Sequence, residues 1–202
     1  MEDRLIIDFE QQEGITVPYP PLFDSVRNNH GFIDLRGRSD LAAKVSEGSG
    51  SNALRDLLVK LSERGSPFFT VGCDLGSHEE PESDENTRCV AGGYIQLMHC
   101  CYANRSREDY YSFGDIMARA LEEVSQDYSW VVRFVLTFVA FNLDNFSSLT
   151  PSLWIWFYAA GHSPEAALAS REVFISRFRE TLADEQLSLL LEEWCEEKIS
   201  NK

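Results

Sequence analysis

Cys73, Cys89, His99, Cys100 and Cys101, with His78 near them in sequence, are the side chains of this chain best equipped to hold a soft metal or attack an electrophile. Zinc sites pair their ligands at spacings such as Cys-x2-Cys, because one tight turn must aim two side chains at a single ion. No such spacing occurs here. Adjacent Cys100 and Cys101, if they lie on a strand, point to opposite faces and cannot easily serve one site. A thiolate nucleophile needs a neighbouring base, and Cys73 with His99 is the pair that two adjacent strands could bring together. Five cysteines and four histidines offer such pairs by chance, so buried apolar thiols are the favoured reading. No cofactor, metal site or catalytic residue is expected.

Carboxylates are the second chemical feature. "GSHEEPESDENTR" (76–88) carries Glu79, Glu80, Glu82, Asp84 and Glu85 between two apolar stretches. A calcium loop needs oxygen ligands at alternating positions, a glycine at its sharp turn and a closing bidentate glutamate. Pro81 sits in the middle of this run and no glycine follows Gly76, so a solvated connection fits better. Its length leaves a docking role for basic side chains open. A second acidic face, Glu192, Glu193, Glu196 and Glu197, lies on the last expected helix. Hydrolase and phosphate signatures are missing: there is no G-x-S-x-G elbow, "GSGSN" lacks the Lys-Ser/Thr of a P-loop, and "GHSPE" (161–165) reads as a helix start.

The whole chain repeats the charge of these two segments. With 33 acids against 18 bases, its formal net charge is −15. A field of that sign repels nucleic-acid phosphate and anionic membrane and attracts basic proteins. Direct nucleic-acid binding is therefore disfavoured. The longest apolar run, "WVVRFVLTFVAFNL" (130–143), is shorter than a membrane span and contains Arg133. An odd cysteine count without framework spacing suits free thiols, and the opening stretch lacks the apolar core of a secretory signal. The expectation is a cytoplasmic protein.

The elements that must position these groups follow from periodicity. One domain over 1–202 is expected, long enough to bury a sizeable core. Residues 52–64 place Leu54, Leu57, Leu58 and Leu61 on one helical face, capped by Ser51 and stopped by Gly65. Residues 113–126 repeat the pattern with Ile116, Met117, Ala120, Leu121 and Val124. A third helix opens at Ser163-Pro164 and buries Leu168, Phe174, Ile175, Phe178 and Leu182; a fourth begins after Asp184. Strands are expected at 4–10, 31–37, 67–75, 92–102, 130–143 and 153–161, the last two rich in aromatic and β-branched residues. The order strand–strand–helix recurs over 67–126 and 130–182, with 4–64 as a degraded first copy. The fold class that follows is α+β: a mainly antiparallel sheet of repeated strand–strand–helix units, helices packed on one face and a C-terminal helical pair.

"LWIWFY" (153–158) puts Trp154, Trp156 and Tyr158 on one strand face and Ile155 and Phe157 on the other. One face belongs under the helices. The second must also be covered, by a loop, a ligand, a partner or another copy of the chain. The functional expectation is an acidic cytoplasmic interaction protein that binds and neutralises a basic protein partner, in the manner of immunity proteins, inhibitors and nucleic-acid mimics. Its contact residues would be the nine carboxylates of 79–85 and 192–197 named above. The alternatives are a subunit of a larger assembly, and a small-ligand protein or enzyme with a pocket among Cys73, His78, His99, Trp154, Trp156 and His162, with Asp74 beside them.

Overall fold

A computed structural model describes residues 5–8, 16–23, 28–42, 44–79, 89–101, 105–124 and 130–183. In chain order they form β1 (Leu5–Asp8), β2 (Thr16–Val17), β3 (Leu22–Phe23), β4 (Asn28–Asn29), α1 (Ser39–Ala42), a 3-10 turn (Ser46–Gly50) and α2 (Asn52–Ser62). There follow β5 (Phe68–Glu79), β6 (Cys89–His99), α3 (Arg107–Val124), β7 (Trp130–Leu143), β8 (Phe146–Gly161) and α4 (Pro164–Leu182).

Local chemistry sets the helix starts. Ser51 Oγ accepts from the Leu54 amide at 3.0 Å, and Ser163 Oγ from that of Ala166 at 3.2 Å, each satisfying a first-turn donor. Pro164 occupies the first turn of α4, where its missing N–H is not needed. At α3 the cap is reciprocal: the Ser106 amide donates to Asp109 Oδ2 at 2.7 Å and the Asp109 amide to Ser106 Oγ at 3.4 Å. That box starts α3 at Arg107, ahead of the expected 113, and adds Tyr110 and Phe113 to the buried face.

Six strands make one sheet in the order β1–β7–β8–β6–β5, with β2 further along the β7 edge that β1 occupies. β1 pairs Leu5 with Val132 and β2 pairs Val17 with Phe141, both parallel to β7. The β5–β6, β6–β8 and β7–β8 pairs are antiparallel. Asp144 and Asn145, at φ 57° and 62°, close the β7–β8 hairpin as a two-residue turn with both central residues left-handed. Helices α2, α3 and α4 cover one sheet face: Leu54, Leu57, Leu58, Phe113, Met117, Phe174 and Phe178 meet Phe134, Ile155 and Phe157 in one cluster.

The expected α+β class with its helices on one face is what forms, and the run at 130–143 is a strand. Three expectations need correction. The sheet is mixed where a purely repeated unit would give an antiparallel one, because β1 and β2 join β7 in parallel. The elements follow one another as β5–β6–α3 and β7–β8–α4, but of the expected first copy only β1 and α2 form, and the strand expected at 31–37 does not. Residues 31–37 are irregular: the Arg36 amide donates to Asp34 Oδ1 at 3.1 Å, a side-chain bond that replaces a strand ladder. Leu168 is 40% exposed, and Arg171 takes a place on the covered face of α4 instead. The expected helix after Asp184 lies outside the described residues. Among those described, no helix is long and apolar enough to cross a membrane.

Candidate functional site

The face turned away from the helices is where chemistry gathers. Tyr94, Gln96 and Met98 alternate onto it from β6, and Ser152, Trp154 and Trp156 from β8. Its middle is a buried polar chain in which Gln96 Nε2 donates to Ser152 Oγ at 2.8 Å, with Thr137 Oγ1 2.9 Å from the same hydroxyl. One end is covered by the chain itself. From β2 the backbone runs as a strap, Val17, Tyr19 and Phe32 packing on Phe69, Val71, Met98, Val139 and Phe141.

Several contacts hold the strap. Tyr19 Oη donates to the Val71 carbonyl at 3.1 Å, and the Phe32 amide donates to the Tyr19 carbonyl at 3.0 Å. Gly31, at φ +85°, lies where an added Cβ would come within 2.9 Å of Pro21 N, so only glycine lets the two arms of the strap meet. Arg36 then clamps Asp34 and, across the fold, Asp144 in the β7–β8 turn, both at 2.7 Å, with its guanidinium over the Phe69 ring at 4.9 Å. The Asp34 bonds hold Arg36 well above the ordinary guanidinium range and Asp34 below the usual carboxylate range.

Strap, β5 edge and 3-10 turn do not close completely. They enclose a cavity of about 320 Å³ whose wall includes Tyr19, Phe32, Glu47, Cys73, Asp74 and Tyr94. Two carboxylates face it and, among the described residues, no lysine or arginine does. Ser46 Oγ donates to Glu47 Oε2 at 2.9 Å and orients that carboxylate. The titratable groups in the wall register the resulting field. Burial, then Glu47 and Asp74, push the Cys73 thiol up to about 12. Burial, then Cys73 and Glu47, push the Tyr19 phenol up to about 12. Tyr94 moves the same way, chiefly through burial. Such a thiol is protonated at neutral pH, and among the described lining residues no lysine or arginine stands beside it to favour the thiolate.

Tyr94 also joins the cavity to an aromatic stack. Its ring lies 4.7 Å from Trp154 at 14° and 4.8 Å from Trp156, and the two indoles are 5.3 Å apart. Ile155 and Phe157 point the other way into the helical core, as strand alternation requires. Trp154 Nε1 is shielded from solvent and has no hydrogen-bond partner among the described residues.

The remaining sequence candidates disperse. His99 is buried at the far end of β6, on the helix side against Phe68, where its Nδ1 accepts from the Cys101 amide at 2.9 Å. Burial, then Arg105, lower it to about 4, so it is a neutral acceptor that shapes the turn into α3. Cys73 pairs in register with Ile95 and Phe68 with His99, which separates Cys73 from the imidazole along the hairpin. Cys100 and Cys101 are exposed in that turn, and His162 is exposed between β8 and α4. His78 and Glu79 end β5, but their side chains lie outside the described residues. So do Glu80, Glu82, Asp84, Glu85, Glu192, Glu193, Glu196 and Glu197. Among the described residues no three His, Cys, Asp or Glu side chains gather closely enough to hold a metal. Tyr19, Glu47 and Tyr94 were not legible as site residues; the only hints were a tyrosine inside "PYPP" and a glutamate in "SEGSGSN". The chain matches no family model, no curated protein and no solved structure.

Proposed function

We propose that this is an acidic interaction protein that binds a basic protein partner and neutralises it by occupying its surface. The observation that carries this reading is the cavity beside β5, walled by Glu47 and Asp74 with no lysine or arginine among its described lining, in a chain of net charge −15. Carboxylates arranged this way raise the encounter rate with a cationic surface and penalise anionic ones. The protonated Cys73 thiol and the distance of His99 from it favour binding over covalent catalysis. Glu79, Glu80, Glu82, Asp84, Glu85 and the acidic set at 192–197 would extend the same field.

Native mass spectrometry of the protein isolated gently from its own cells at low salt tests the reading. The expected result is a stoichiometric basic protein that dissociates as salt rises. A bare chain carrying a small-molecule mass would overturn it in favour of a small-ligand protein, for which the same cavity is the observation.

A further inference from the structure

Resting on that reading, we propose that the cavity beside β5 receives one cationic side chain of the partner, its guanidinium or ammonium group held between the Glu47 and Asp74 carboxylates and the rings of Tyr19 and Tyr94. Four features point to this occupant. At about 320 Å³ the space lies at the small end of ligand pockets, which run to roughly 1,000 Å³, and suits one long side chain better than a nucleotide or extended cofactor. Its charge is one-signed, as set out above. Its walls offer aromatic faces and apolar groups to an aliphatic stem, with Phe32, Ile33 and Leu58 beside Tyr19 and Tyr94. The Tyr19 hydroxyl already donates its proton to Val71, so its oxygen is left to accept from a cationic N–H.

Gly72 supplies a way to close the site. A Cβ built there would meet Tyr19 Oη and Gln96 Oε1 at 3.5 Å, ordinary contact, so alanine fits and a larger side chain projects among the cavity walls. The built-in reporter is Trp154, stacked on Tyr94 at 4.7 Å.

The test is a titration of the full chain with N-acetyl-arginine amide and with its neutral isostere N-acetyl-citrulline amide, followed by tryptophan fluorescence and by amide chemical shifts. Expected are saturable shifts centred on Tyr19, Cys73 and Tyr94 at about millimolar ligand, and citrulline amide at least about tenfold weaker. Glu47→Gln should weaken arginine amide about tenfold, and Gly72→Leu should abolish its binding while Gly72→Ala keeps it. Equal binding of both amides, or shifts that avoid the cavity, overturns the proposal. Should Gly72→Leu fail to fold, Glu47→Gln decides alone. A salt-sensitive basic partner from the isolation above, together with no response to arginine amide, sinks this assignment and leaves the partner reading intact. Saturable arginine binding without any protein partner does the reverse.

Discussion

Cys73 should be the slowest of the described cysteines to alkylate, and the structure sets how slow. Its half-buried thiol in the cavity wall is pushed up to about 12 by desolvation, then by the charges of Glu47 and Asp74. At pH 8 such a thiol is roughly one part in 10,000 thiolate, against about one part in four for a free cysteine near 8.5, a deficit of about 2,000-fold. A more basic thiolate is a better nucleophile, and a Brønsted slope of about 0.45 over roughly 3.5 pH units restores a factor of about 40. The net expectation is reaction with iodoacetamide about 60-fold slower than an unhindered peptide cysteine. Site-resolved peptide mass spectrometry of timed aliquots measures it, with exposed Cys100 and Cys101 as internal comparisons. Raising the pH from 8 to 9 should speed Cys73 about tenfold, where an ordinary free thiol gains only about threefold. Modification of Cys73 within about threefold of a peptide cysteine would refute the cavity electrostatics.

Other consequences are open to measurement. His99 is lowered to about 4 in the fold, so the unfolded chain binds its proton first as pH falls. Its contribution to stability is therefore complete above about 6.5 and is lost towards 4, amounting to about 2–3 kcal/mol; urea midpoints should fall across that window and flatten in His99→Gln. A wild-type midpoint flat between those limits would contradict the assignment. Phe174→Ala empties a site shared by Trp130, Phe157 and Phe178 and should cost about 3–5 kcal/mol in urea denaturation. Gly161→Ala drives a Cβ into the α4 backbone at Ala166 and Ala167, and a loss of about 1–3 kcal/mol is expected; an unchanged midpoint would mean α4 sits elsewhere. Ser163→Ala removes the α4 cap and should cost about 1 kcal/mol, recovered in large part by Ser163→Asp.

What could be read from the sequence follows a physical line. Helix α2 was legible to within two residues because its leucines recur at the helical period between a serine cap and Gly65, which sits at φ 88°. β7 and β8 were legible because both of their faces are apolar, and the alternation of Trp154 and Trp156 against Ile155 and Phe157 assigned each face correctly. β1 forms within the expected 4–10, but its pairing was illegible, because a parallel partner more than a hundred residues away leaves no turn signal at either end. "GFIDLRG" misled because its apolar residues serve two clusters: Phe32 joins the second-face cluster and Leu35 the helical core, as the strap turns around the β5 edge. The cavity was illegible for a related reason. Cys73 and Tyr94 meet through the β5–β6 pairing, but Tyr19 and Glu47 come from the strap and the 3-10 turn, and no local pattern announces that these reach the same edge. Of its wall, Cys73 and Asp74 are the residues the sequence points to, as part of a pocket set whose His99 and His162 lie elsewhere.

A basic partner held through the cavity beside β5 must feel the Glu47 and Asp74 carboxylates in its wall. The most direct test is the affinity of the isolated partner for wild-type protein and for the Glu47→Gln, Asp74→Asn double variant, measured across a salt series. Affinity should fall steeply with salt for the wild type, and the variant should bind more weakly with a shallower salt slope. Affinity indifferent to salt, or identical in the two proteins at every salt concentration, would contradict it.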